Sequence, residues 1–141
     1  MLIVAADIAQ EAMRKFLDSK GVLTKNGYYP EDAEDQHVRA YEDHDLLGPD
    51  LNAPRICQSQ SFKGKWNKRV VDILTEAFIS AVQQGEYKSV HPSWPQMKED
   101  KVRKRCQSKL YRTQYLCRTR KKSPMSDKVN RMYQRRQEVG L

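Results

Sequence analysis

Trp66, Val70, Ile73, Leu74, Ala77, Phe78, Ala81 and Val82 recur at i, i+4, i+7, i+8, i+11, i+12, i+15 and i+16. This is the helical period held over roughly four and a half turns, and it lays a broad apolar stripe on one helix face. It is the strongest periodicity in the chain, and no segment alternates as a strand would. Gly85 is placed to end the helix. The stripe makes an all-α fold the expectation.

A second helix is expected from Lys101 to Lys121, with Asp100 as its cap. Ten of the 22 residues from Lys101 to Lys122 are Lys or Arg. On a wheel of 100° per residue, Val102, Cys106, Leu110, Thr113 and Cys117 nonetheless fall within about 80°. The opposite face carries Lys104, Ser108, Tyr111, Arg112, Tyr115, Arg118 and Lys122, with Arg105 and Gln107 toward the flanks. An apolar seam backed by Lys, Arg, Tyr, Ser and Gln suits a groove-binding helix: the cations neutralise phosphate, and Gln, Ser and Lys pair with base edges.

Between these two, "SWPQ" is a capping box, with Ser93 at the cap, Pro95 in the first turn and Gln96 reaching back. It predicts a short helix over about residues 94–99. Long helix, short helix and long basic helix follow the order of a helix-turn-helix.

Upstream, residues 2–20 read as a helix stopped at Gly21, with Ile8 or Ala9, Ala12 or Met13, and Phe16 or Leu17 at helical spacing. "NGYYP" is a turn. Residues 31–47 read as a further helix opening on Pro30 and acidic residues, with Ala33, Val38 and Tyr41 as its apolar set. Residues 51–63 read as a linker. Downstream, "KKSP" breaks the basic helix. Ser126 then starts a last one, with Lys128, Arg131, Arg135 and Arg136 set against Val129, Met132, Tyr133 and Val139.

Composition sharpens the division. Residues 1–60 hold six Lys or Arg and eleven Asp or Glu, whereas residues 61–141 hold twenty and seven. An acidic front half is joined to a back half suited to a polyanion. Cys57, Cys106 and Cys117 are odd in number and lack any CxxC pairing, so they are read as reduced thiols of an intracellular protein. The N-terminus lacks the basic and long apolar regions of a signal peptide, and no stretch approaches the ~20 apolar residues of a membrane span. The expectation is a soluble, non-membrane protein. His37, His44 and His91 are scattered without ligand spacing, and no nucleophile–base pair or glycine-rich phosphate loop is present. Neither metal, cofactor nor enzymatic activity is predicted.

The back half resembles the Myb/SANT-like family over about residues 62–122. "KGKW", Lys63 to Trp66, looks like that family's entry to its first helix, with Leu74 eight residues after the tryptophan. Trp94 followed by Met97 resembles its second aromatic element. "RCQSKL", Arg105 to Leu110, resembles the core of its recognition helix. The resemblance implies a three-helix, homeodomain-like helix-turn-helix at 64–122. It places base-facing positions on Lys104, Gln107, Ser108 and Tyr111. A trihelix or TEA-like variant shares the same logic with different loops. Where the family carries an acidic cluster after the first tryptophan, this chain has Lys68, Arg69, Val70 and Val71. SANT modules that meet histone tails need acidic surface, so a basic unit points to DNA instead.

The expected organisation is therefore an acidic helical extension (1–50), a linker (51–63), the Myb/SANT-like unit (64–122) and a C-terminal basic helix (123–141). The core is expected from Trp66, Ile73, Leu74, Phe78, Trp94, Cys106 and Leu110. Double-stranded DNA is the expected partner, with phosphate contacts from Lys101, Arg103, Arg105, Arg112 and Arg118. Tyr115 and Lys122 extend that face. The setting would be nuclear, in transcription or chromatin regulation. Two alternatives stand beside it: a non-catalytic adaptor using the N-terminal helices for protein contacts, and RNA binding through Tyr111, Tyr115 and the arginines. The acidic extension either packs on the basic unit, offers a protein-interaction surface, or competes with DNA for the basic face.

Overall fold

The computed structural model describes residues 2–88, 90 and 99–122. Among them the chain is all-helical: α1 (Leu2–Ser19), α2 (Asp35–His44), α3 (Lys65–Gln83) and α4 (Glu99–Lys122). One isolated bridge, Lys25 to Tyr28, is the only β-type pairing among the described residues. The short helix expected at 94–99 with its capping box, Trp94, and the C-terminal helix lie outside the described residues, apart from Glu99.

α3 carries the apolar stripe and is the hub. Val70, Leu74 and Val82 are fully buried, and Trp66, Val71, Phe78 and Ala81 nearly so. α1 lays Met13, Phe16 and Leu17 into the same core, with the Phe16 and Phe78 rings 5.5 Å apart. α2 contributes Val38 and sets Tyr41 edge-on to Trp66 at 5.8 Å. α4 closes the other side with Val102, Cys106 and Leu110. Each fully buried leucine or valine contributes on the order of 1.5–3 kcal/mol relative to exposure. A single cluster spans α1 to α4, so the acidic front half and the basic back half share one core.

Helix ends follow local chemistry. α1 and α3 both finish in Schellman motifs with a left-handed glycine: Gly21 (φ 71°) with Val22 N–H donating to Leu17 O, and Gly85 (φ 80°) with Glu86 N–H donating to Ala81 O. At the start of α3, Gly64 caps without a side chain. Glu42 reaches across from α2 instead, accepting from Trp66 N–H at 3.4 Å and placing negative charge at the helix N-terminus.

Three expectations need correction. α2 is shorter than 31–47. Ala33 N–H is taken by Ile56 O and the Asp32 carboxylate by Gln58 N–H, which holds residues 31–33 out of the helix. At the other end Asp45 turns left-handed (φ 51°). Asp100 does not cap α4; Glu99 and Asp100 occupy its first turn, where they complement the helix dipole. Residues 51–63 are no spacer, because Pro54, Ile56, Cys57, Gln58 and Phe62 are buried.

Candidate nucleic-acid interface

The seam of α4 is buried at every position: Val102, Cys106, Leu110, Thr113 and Cys117 are at most 4% exposed. Of the expected core residues, Trp66, Leu74, Phe78, Cys106 and Leu110 are buried and Ile73 is half-buried against the cluster. Burial pushes the Cys106 thiol up to about 11. With this side committed to the core, the remaining arc of α4 faces outward.

That arc holds Lys101, Lys104, Gln107, Ser108, Tyr111, Arg112, Tyr115 and Arg118, all exposed. From Lys104 to Arg118 it runs about 20 Å along the axis. The acidic residues of α4 are confined to its first turn, so the face from Lys101 onward carries no carboxylate of its own helix. Tyr111 is 60% exposed, yet its ring lies 6.4 Å from that of Phe62, which fixes its root while leaving its edge in solvent. Tyr115, one turn on, is 58% exposed.

Not every expected contact residue is equally available. Arg103 is half-buried and ion-paired with Asp72 of α3, and its second amine lies 3.5 Å from Glu99. It ties α4 to α3 before it can meet phosphate. Arg105 is half-buried. Arg118 turns back to donate from Nε to Gln58 O. Lys122 closes α4.

Two amides hold this face in place, and neither was expected from the sequence. Asn67, fully buried on α3, accepts from Cys57 N–H at 2.7 Å and donates to Cys57 O at 2.9 Å and Gln60 O at 3.0 Å. Gln114, 2% exposed on α4, donates to Cys57 O at 3.2 Å and to Gln60 O. Loop 57–60 is thus gripped from both helices. Buried amides of this kind are retained because each backbone group they satisfy would otherwise be orphaned. Gln114 had a signal: it falls about 40° beyond Leu110 on the wheel, at the seam's edge. Asn67 had only its place beside Trp66.

Among the described residues, no group of three His, Cys, Asp or Glu side chains is placed to hold a metal ion, and no helix is long and apolar enough to cross a membrane. The arrangement offers a rigid, cationic, tyrosine-bearing helix face with hydrogen-bonding Gln107 and Ser108 at its centre. No protein-family model, curated protein or solved structure matches the chain.

Proposed function

We propose that the chain binds double-stranded DNA through the outward face of α4. The reading is supported by one observation above the others. Lys104, Gln107, Ser108, Tyr111 and Arg112 share an exposed face with no carboxylate of their own helix, while the reverse face is locked in the core. An α-helix fits the major groove of B-DNA, where such side chains meet base edges and phosphates. Lys104, Gln107, Ser108 and Tyr111 form the base-facing set; Lys101, Arg105, Arg112 and Arg118 the phosphate set. Arg103 joins them only by leaving Asp72. The Myb/SANT-like architecture belongs to the same proposal, as does a nuclear role in transcription or chromatin regulation.

Fluorescence anisotropy on random-sequence duplex DNA across a salt series tests it. Lys104→Ala with Arg112→Ala should weaken binding, with the slope of log affinity against log salt lowered by about one for the lost Arg112 phosphate contact. Unchanged affinity and slope would remove α4 from the interface. In vitro selection on random duplexes then yields the site.

The exposure of Tyr111 and Tyr115 favours a second reading, single-stranded RNA. Two tyrosines one turn apart on a cationic helix can stack unpaired bases. Competition between duplex DNA and single-stranded RNA separates the two readings.

A further inference from the structure

The turn after α1, Lys25 to Tyr28, is tightly built. Asn26 (φ 51°) and Gly27 (φ 85°) are both left-handed, and across them Tyr28 N–H donates to Lys25 O at 2.9 Å and Lys25 N–H to Tyr28 O at 3.2 Å. This is the two-residue hairpin turn that Asn-Gly favours. Tyr28 is also pinned at its far end, where its hydroxyl donates to Gly21 O at 3.1 Å, yet 51% of it stays exposed. A tyrosine held at both ends and left half bare is a preformed stacking platform.

Tyr28 and Tyr29 line a cavity of about 390 Å³, with Lys20, Glu31, Asn52 and Arg55 also in its walls. That volume falls within the roughly 300–1,000 Å³ of small-ligand sites. Its electrostatics favour an anion. Glu31 is neutralised by Arg55 at 2.8 Å and Asp18 by Lys25 at 3.6 Å, while the Asp32 carboxylate accepts from Gln58 N–H. Among the described residues, Lys20 and Arg120 are paired with no carboxylate. They lie instead over the rings of Phe16 and Tyr29, at 5.7 and 4.1 Å. Cations left to aromatic faces can still meet an incoming phosphate.

Arg120 also joins this cleft to the face assigned to duplex DNA. It follows Arg112 by about two turns of α4, about 12 Å along the axis and 80° round the wheel, and both are exposed. We propose that the cleft takes one unpaired nucleotide of a strand that leaves the duplex on α4. The base stacks on Tyr28, Asn52 meets its edge, and Lys20 and Arg120 meet its phosphates. The ligand is then a duplex with a single-stranded end, and the acidic front half supplies part of the nucleic-acid site. This inference rests on the DNA reading of α4.

Anisotropy at one salt concentration tests it, comparing a blunt duplex with the same duplex carrying an unpaired oligothymidine end, 5′ or 3′. An overhanging duplex should bind about tenfold tighter than the blunt one, a gain within reach of one base stacked on an aromatic ring. Tyr28→Ala should remove most of that gain. Tyr28→Phe, which keeps the ring and loses the hydroxyl bond, should retain it. Lys20→Ala should shrink the gain as well. 5-Iodouracil placed in the overhang should photocrosslink to Tyr28 or Tyr29, as peptide mapping will show. Equal affinity for blunt and overhanging duplexes, a gain that survives both Tyr28→Ala and Lys20→Ala, or crosslinks confined to α4 would overturn the cleft and leave duplex binding standing. A blunt duplex that fails to bind, or whose binding is indifferent to Lys104→Ala with Arg112→Ala, would remove the α4 reading and the cleft's role with it.

Discussion

Replacing Asn67 with alanine should destabilise the fold by about 2–4 kcal/mol, and the figure follows from which groups lose a partner. Cys57 O and Gln60 O each keep a donor, because Gln114 Nε2 reaches both. Cys57 N–H has Asn67 Oδ1 as its partner at 2.7 Å, and the methyl of alanine supplies nothing in its place. An orphaned buried donor costs roughly 1–3 kcal/mol, and the net loss of the remaining hydrogen bonds adds about 1. Urea unfolding followed by tryptophan fluorescence measures it; with a slope of about 1–3 kcal/mol per molar, the midpoint should move by about 1–2 M. Asn67→Asp separates the acceptor role from the donor role. The carboxylate still accepts from Cys57 N–H, but its second oxygen faces two carbonyls. Burial then raises the folded-state carboxyl above its usual value of about 3.9. Between these two values the folded chain binds the extra proton, so stability falls as pH rises from about 4 through the raised folded-state value, and levels off above it. The aspartate variant should approach the alanine variant near pH 4 and fall below it at pH 7. A cost under about 1 kcal/mol for alanine, or a pH-independent gap between the two variants, would refute the clamp.

Other outcomes follow from the same contacts. Leu110→Ala, at a fully buried seam position, should cost about 2–5 kcal/mol in the same unfolding assay. Asp72→Asn should release Arg103 for about 1 kcal/mol or less of stability, since both groups are partly exposed, and under the proposed function should tighten duplex DNA binding at low salt; anisotropy on the variant checks this. With its thiol raised to about 11 by burial, Cys106 should resist iodoacetamide at pH 8 in the folded chain and react once the chain is unfolded, as peptide mass mapping will show. The unfolded thiol ionises first, so stability should decline as pH rises from about 9 toward 11.

What could be read in the sequence was whatever depends on period. The stripe from Trp66 to Val82 and the seam from Val102 to Cys117 stand out because a packed helix repeats its buried face, and both faces are buried. Gly21 and Gly85 could be read because left-handed helix ends favour glycine. The segment at 54–62 could not, since its burial rests on pairings at a distance. Gln58 Nε2 donates to Pro30 O, Asn67 holds Cys57, and Gln114 reaches Cys57 across 57 residues. Amide side chains in a polar stretch carry no periodic mark of such partners. The same holds for the early part of the expected 31–47 helix, where Asp32 is spent on Gln58 N–H rather than on a helix start. For the candidate site, the wheel told inward from outward on α4, but not that Arg103 would be drawn aside by Asp72 or Arg118 by Gln58 O.

Gln58 joins three parts of the molecule through one residue. Its N–H and side-chain amide are bound to Asp32 and Pro30, and its carbonyl to Arg118 of α4. In mechanical terms it is a rivet between the acidic front half and the far end of the basic helix. Residues 30–32 and Arg118 are thus linked by hydrogen bonds of one residue, not by apolar contact alone. The length of loop 57–60 is therefore a tolerance of the whole assembly: one inserted residue should break these bonds together with those that Asn67 and Gln114 make to Cys57.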